Sequence, residues 1–325
     1  MRRAAFAAGL LALMLAAAPA QAQQQMVDPD FRPTVQNPAW AEGQGPVVVI
    51  DEAHLNFHRL EGQYAPFAAL LRTDGYRVQA GTQPFDAGGL EGVDVLVIAN
   101  AGATSEQPTP PAFTEAEGAA LEAWVREGGK LLLIADHTPF GAAAAALAAR
   151  FGVKMGTGYA FAMPDELNLT TNLTYPAEAF GEHPIFAGRD ASERVESVTA
   201  FTGQSLEGPE GATVLLYMTD GAREARDLPT LQALADRLEQ AGETGAGAAE
   251  AVAELSTPAL PAQGLAFDHG RGRVVVLGEA GMLSAQLIRF PPESGQADRR
   301  FGMNAAPGNA RFGLNILHWL SGLLP

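Results

Sequence analysis

Glu127 to Gly141 reads EGGKLLLIADHTPFG. Paired glycines feed a short apolar run, Leu131 to Ala135, whose length and lack of alternation suit a strand buried on both faces of a parallel sheet. Asp136 and His137 follow at its carboxyl end, and Pro139 sits where a first helical turn tolerates it. The Ala-rich segment Gly141 to Arg150 then continues as a helix able to lie close against a sheet. Open α/β sheets bind ligands outside the carboxyl ends of their strands, so two ionisable side chains stand where chemistry usually sits. Asp136 alone reads equally well as a helix cap. His137 beside it moves the balance toward a site.

Before this unit the chain alternates in the same way. VVVID, Val47 to Asp51, is a first buried strand ending in an acidic residue. Tyr64 to Asp74 carries Phe67, Leu70 and Leu71 at helical spacing; Tyr76 to Gln79 and Val93 to Ala99 are further strands. Asn100 to Pro111 is a loop rich in Gly, Ser, Thr and Pro. Thr114 and Glu117 then form a capping box for a helix through Leu121, Trp124 and Val125. Strand and helix thus alternate from Val47 to Phe151, which predicts right-handed crossovers and a doubly wound, mostly parallel α/β sheet.

After Gly152 the periodicity weakens. Gly156 to Ala200 reads as loops with a short strand or two, HPIF at His183 to Phe186 among them, and Thr213 to Tyr217 as a further strand. Residues 222–261 are rich in Ala, Glu and Gly, with one amphipathic helix marked by Leu231, Leu234 and Leu238; a mobile insertion is expected there. Leu265 to Phe267, a turn at His269 to Gly272, and RVVVL at Arg273 to Leu277 restore a core strand ending in Gly278 and Glu279. Phe312, Ile316, Leu317 and Leu320 mark a closing helix, with His318 read as packing or hydrogen bonding.

The first 22 residues have Arg2 and Arg3, an apolar stretch Ala4 to Ala18 and an Ala20-Gln21-Ala22 cleavage site, the pattern of a secretory signal peptide. The expectation is a periplasmic or secreted protein without membrane insertion after cleavage. Residues 23–45, broken by Pro29, Pro33 and Pro38, read as an extended lead-in, and 46–325 as one α/β domain. There is no cysteine, so thiol nucleophiles and disulfides are excluded. Lys and Arg total 21 against 37 Asp and Glu, a formal charge of −16, which disfavours nucleic acid as a partner. A cation or a neutral small molecule suits such a body better. No feature fixes the oligomeric state.

Three strand ends carry one kind of chemistry. Asp51, His54, Asn56 and His58 follow the first strand, Asp136 and His137 the fourth, and Glu279 the last core strand. Half of the six histidines lie in these loops. In a parallel sheet the loops share one edge and can converge. Imidazole and carboxylate together are the usual ligands of a divalent transition metal, here His54, His58 and Asp136, with both histidines able to share one side of a helical turn. The competing reading is that Asp and Asn cap and turn, and that each histidine is a hydrogen-bonded structural group. Asn304, in FGMNAAPGNARFGLN, either orders a loop over the site or makes a turn.

The succession VVVIDEAHLNFH, DVLVIANA, WVREGGKLLLIADHTPFG, HPIFAG and GRGRVVVLGEAGM resembles the class I glutamine amidotransferase-like superfamily. Within it the chain is most similar to an exported relative of trehalose-utilisation-type proteins. The resemblance implies a flavodoxin-like sheet with helices on both faces, an inserted loop and helix region, and a functional edge at the turn IADHT. Members carry a nucleophilic cysteine there and a histidine-glutamate pair after a late strand; this chain has Asp136 and His137 at the first place and Glu279 at the second. Thiol-based glutamine hydrolysis is thereby excluded. The expected function is hydrolysis of a neutral or amino-sugar-type substrate, with Asp136 or Glu279 as base, His137 as acid or oxyanion partner, and Asp51, His54, Asn56, His58 and Asn304 binding ligand. The alternative is a non-catalytic carbohydrate- or peptide-binding module of the cell envelope.

Overall fold

The computed structural model describes residues 24–102, 111–291 and 294–325. The expected signal peptide, residues 1–22, and positions 103–110 of the loop after the third predicted strand lie outside the described residues. The chain runs through β1 (Gln24–Val27), β2 (Val47–Asp51), α1 (Ala65–Thr73), β3 (Arg77–Gly81), β4 (Val95–Ala99), α2 (Glu115–Arg126), β5 (Lys130–Ile134) and α3 (Phe140–Arg150). Next come β6 (Lys154–Met155), β7 (Tyr159–Asp165), β8 (Asn168–Thr170), β9 (Asn172–Pro176), α4 (Pro184–Ala187), β10 (Ser197–Phe201), β11 (Leu206–Glu207), β12 (Thr213–Tyr217) and β13 (Ala222–Ala225). The last part comprises α5 (Leu228–Ala241), α6 (Ala248–Leu255), β14 (Thr257–Pro258), β15 (Ala262–His269), β16 (Gly272–Leu277), β17 (Ala285–Arg289), β18 (Arg299–Gly302) and α7 (Pro307–Leu320).

Nine strands form the main sheet, in the order β3-β2-β4-β5-β16-β15-β11-β6, with β12 also paired to β15. From β3 to β16 every pairing is parallel; the pairings beyond β16 are antiparallel. Taken in chain order the five parallel strands lie 2-1-3-4-5, the flavodoxin-like arrangement. Their apolar runs do not alternate because both faces are covered. Val48, Ile50, Leu132 and Ile134 pack with Phe67 and Leu71 of α1 and Phe312 and Ile316 of α7. Val49, Leu96, Leu131 and Leu133 pack on the other side with Leu121 of α2 and Leu147 of α3. Full burial of each such side chain contributes roughly 1.5–3 kcal/mol, so these two layers hold the strand ends in place.

The local signals read from the sequence form as physics requires. The Thr114 capping box is closed in both directions. Gly129 lies under Trp124, where a Cβ would come within 2.3 Å of the indole, so the glycine pair before β5 is sterically required. His269 to Gly272 is the tight connection of the β15–β16 hairpin.

Other segments differ from expectation. Residues 222–261 are not loose: β13, α5 and α6 enclose a core of their own in which Leu231, Leu234, Leu238, Ala248 and Ala251 pack on Tyr159 and Phe161. Small alanines suffice there because two aromatic rings from β7 supply the bulk. The HPIF segment is the short helix α4 rather than a strand; Pro184 sits in its first turn and His183 caps it, its Nδ1 accepting the Ile185 amide at 3.3 Å. The lead-in is tied down as well. Its β1 pairs with β17, and Phe31, Val35 and Trp40 pack against the core, Trp40 edge-on to Tyr76 at 4.5 Å.

Candidate functional site

Register fixes what meets at the carboxyl edge of the sheet. Ile134 pairs with Ala99 on one side and Leu277 on the other, so Asn100, Asp136 and Glu279 emerge within two residues of a common line. Asp51 ends β2 one strand farther out. Asn100 has a left-handed φ of 49°, and its Oδ1 accepts the Asp136 amide at 2.9 Å, which joins the β4 and β5 loops. Leu55, Thr157 and Thr202 are the other described non-glycine residues with positive φ. All flank this edge: Leu55 lies in the β2 loop, the Thr157 amide binds Gln204 Oε1, and Thr202 precedes Gly203, which abuts Glu279. Such conformations cost about 1–3 kcal/mol each and gather at functional sites.

The β2 loop contains a closed polar relay. Asp51 is 1 % exposed and its carboxylate holds His54 Nδ1 at 2.8 Å and Asn56 Nδ2 at 3.0 Å. The opposite nitrogen, His54 Nε2, meets Glu117 Oε1 at 2.8 Å, while Glu117 Oε2 accepts the Thr114 amide and hydroxyl. Carboxylates only accept, so both imidazole nitrogens donate and the ring is cationic. Burial pulls its proton affinity down, but the hydrogen bonds and charges of Asp51 and Glu117 outweigh that, and the net shift is upward. Phe85 and Phe113, stacked on each other at 5.8 Å, both pack against the ring, at 4.5 and 4.6 Å. The sequence had flagged Glu117 as a helix cap alone; its second role, 63 positions from His54, carries no local signal.

The second group lies around Asp136 and Glu279. Glu279 is 1 % exposed; its oxygens accept the Gly281 and Met282 amides at 2.6 and 2.7 Å. Burial, and next the charge of Asp136, hold its carboxyl well above the usual range. Asp136 is the more accessible partner, with 12 % of its side chain exposed. His137 donates from Nδ1 to the Thr138 carbonyl at 2.8 Å, stacks on Tyr159 at 4.2 Å and brings Nε2 to 3.8 Å from Asp136. Tyr64, just before α1, donates its hydroxyl to the Ala280 carbonyl at 3.1 Å, and burial with the fields of Glu279 and Asp136 keeps it un-ionised. Gln204 closes the floor, donating to the Ala135 carbonyl at 2.9 Å. Tyr64, Asn100, Gln204 and Tyr159 were not singled out from sequence; only Asn100, directly after a core strand, had a position that marked it.

Of the expected residues, then, Asp136, His137 and Glu279 converge, and Asp51, His54 and Asn56 form a relay beside them. His54 and His58 do not share a helical turn: residues 52–63 are irregular, His54 faces Glu117 and His58 packs on Tyr64. Nor do His54, His58 and Asp136 form a ligand set; among the described residues no group of three His, Asp or Glu side chains is placed to hold a metal ion. Asn304 commits its amide to Asp28 and the Gln286 carbonyl, fastening the N-terminal strand. A cavity of about 420 Å³ at the opposite edge of the sheet is lined by Pro46, Asp94, Trp124, Lys130, Leu320 and Ser321. Its charged groups already serve the backbone, Asp94 accepting the Val47 amide and Lys130 donating to the Gly128 carbonyl, so it assembles no chemistry.

The sequence matches no protein-family profile and no curated protein. Among solved structures the chain is similar to the mmIFT52 N-terminal domain, with a TM-score of 0.55 at 12% identity over 84% of this chain and 97% of that one. It is also similar to cytoplasmic protein STM1381 from Salmonella typhimurium LT2 (TM-score 0.43, 14% identity, 84% of this chain and 98% of that one). A thua-like protein from Bacteroides uniformis ATCC 8492 gives a TM-score of 0.40 at 13% identity, covering 88% and 93%. At such identities the likeness is one of fold.

Proposed function

We propose that the chain is a hydrolase of a neutral or amino-sugar-type substrate that works through the Asp136–Glu279 carboxyl pair. One observation carries the reading: a buried carboxyl with raised proton affinity stands beside a second, more accessible one, at the edge where parallel sheets place their ligands. Environments that push two carboxyls apart are how one site holds an acid and a base at the same pH. Glu279, whose proton affinity is raised by burial, is the acid of the pair. Asp136, the more accessible carboxyl, takes a proton from the attacking water, whose oxygen bonds to the substrate carbon. The leaving oxygen is protonated by Glu279, and transfer of the proton taken up by Asp136 back to Glu279 restores the starting state. The Asp51–His54–Glu117 relay holds the neighbouring loop rigid. The expected signal peptide makes this an exported enzyme, which cell fractionation of the native chain would check.

The test is turnover of a panel of p-nitrophenyl glycosides and N-acetylglycosaminides by wild type and Asp136→Asn. Loss of about 10²–10⁴-fold in kcat in the variant is the expected result. A binding module of the cell envelope is the second reading, favoured by the 1 % exposure of Glu279. It is the outcome if ligands bind and nothing turns over.

A further inference from the structure

His58 is 3 % exposed, yet neither Nδ1 nor Nε2 has a hydrogen-bond partner among the described residues. The contrast with two other buried histidines is chemical. His54 uses both nitrogens, and His318 binds Asp74 at 2.7 Å through Nε2 and brings Nδ1 to 3.6 Å from Glu193. Each orphaned polar atom in a protein interior costs about 1–3 kcal/mol, and native structures supply a partner for nearly all of them. An imidazole with both positions open among the described residues is one to which a ligand can supply the partner.

Its surroundings say what that partner is. The ring packs on Tyr64 at 4.6 Å, whose hydroxyl lies in the field of Glu279 and Asp136, and on Phe57 at 5.3 Å. Phe57 is 39 % exposed and continues to Phe140 at 5.9 Å, which in turn neighbours His137 at 6.3 Å. His58 thus joins the carboxyl pair to an aromatic rim. Burial keeps the ring neutral, with a pKa lowered to about 3, so it offers one donor and one acceptor. An anionic ligand is disfavoured by the carboxylates at this edge. A hydroxyl, at once donor and acceptor, suits either nitrogen in either tautomer. Phe57, the exposed ring of this group, suits the apolar face of a sugar.

We propose that His58, with Phe57, is a hydroxyl-reading subsite for an uncharged sugar beside Asp136. The inference deepens the hydrolase reading and rests on it for the placement of the scissile bond, but not for binding itself.

The test measures binding of D-glucose, D-galactose, D-mannose and N-acetyl-D-glucosamine to the full chain, with D-glucuronate as the charged counterpart, by calorimetry and by NMR of the imidazole nitrogens. At least one neutral sugar is expected to bind and to move the His58 ring resonances, and glucuronate is not. His58→Phe fills the same space without polar atoms; it is expected to keep or raise the melting temperature and to weaken sugar binding about 10–100-fold, as loss of two hydrogen bonds predicts. His58→Gln should recover part of the affinity. If no neutral sugar binds, or if His58→Phe binds as wild type does, the nitrogens serve an internal water and the proposal is overturned. Turnover with an unchanged KM in His58→Phe would overturn this proposal and leave the hydrolase reading intact. Sugar binding that depends on His58, without turnover, would do the reverse.

Discussion

His54 and His58 stand four positions apart on one loop and end in opposite states. His54 lies between two carboxylates, with both nitrogens donating and the ring charged. His58 lies among aromatic rings, with neither nitrogen partnered among the described residues and the ring kept neutral by burial. The first is a completed network, whose value is rigidity; a fully satisfied polar cluster has nothing left to offer a ligand. The second is incomplete, and an incomplete buried group is where a ligand gains most by arriving. A histidine at the edge of a sheet is thus not by itself a sign of chemistry; what distinguishes the two is whether the chain has already answered its hydrogen bonds.

The largest effect should come from breaking the completed network. His54→Ala leaves Asp51 and Glu117 buried without their cation, a loss of about 3–5 kcal/mol. The melting temperature should fall by about 5–8 °C for a domain of this size. Combining it with Glu117→Gln should cost less than the two single changes added, because the second removes a charge the first orphaned. Strict additivity would mean that the relay is not a unit.

Next in size is acid stability, where the two histidines act with opposite sign. The folded pKa of His54 is raised, so its contribution is complete below the unfolded value of 6.5 and is lost as pH rises through the folded value. That of His58 is lowered to about 3, so the unfolded chain takes up a proton that the folded chain refuses. Stability therefore falls as pH drops from 6.5 to 3, by up to about 4 kcal/mol. His58→Phe should flatten that limb, and denaturant titrations at several pH values would show it. An unchanged limb would mean that His58 is protonated in the fold.

Glu279 sharpens the comparison from the other side of Tyr64. Its folded pKa is raised, so the folded chain holds a proton that the unfolded chain has released above the ordinary 4.5. Its contribution to stability is present below 4.5 and is lost as pH rises toward the folded value. Glu279→Gln should be close to wild type in acid and gain on it as pH rises, the same melting curves reporting the crossing. It should also abolish turnover, which separates a site kept for chemistry from one kept for stability.

How much of this was legible in sequence follows from the range of each interaction. The parallel strands announced themselves because Val47 to Asp51, Val93 to Ala99 and Leu131 to Ala135 are local apolar runs, and the Thr114–Glu117 cap because it spans three residues. Asp136 and Glu279 could be placed on one edge because parallel strands share it. The pairing of His54 with Glu117 could not, since it depends on how the β2 loop meets the start of α2. Nor could the apolar setting of His58, which depends on Phe57 and Tyr64 packing their rings against it. The order of residues 222–261 was hidden for the same reason: their core is completed by Tyr159 and Phe161 from β7.

The smallest effect tests the loop that carries both histidines. Leu55 is 76 % exposed and holds a φ of 51°, a conformation that branched side chains adopt only under constraint. The constraint is visible on either side of it: the His54 amide is tied to Asn56 Oδ1 at 3.1 Å, and the Phe57 amide to the Asn100 carbonyl at 2.9 Å. Leu55→Asn relieves the strain and removes an exposed apolar group, so unfolding should become harder by about 0.5–1 kcal/mol. If the leucine is there only by default, nothing else changes. If it is the outer wall against which a sugar closes, the same stabilised variant binds sugar more weakly while the His54 relay, read by its pH-dependent unfolding, stays as it was. That division would set the strained tip of the loop with His58 rather than with His54, and so place the boundary between supporting network and binding surface within a single residue of the chain.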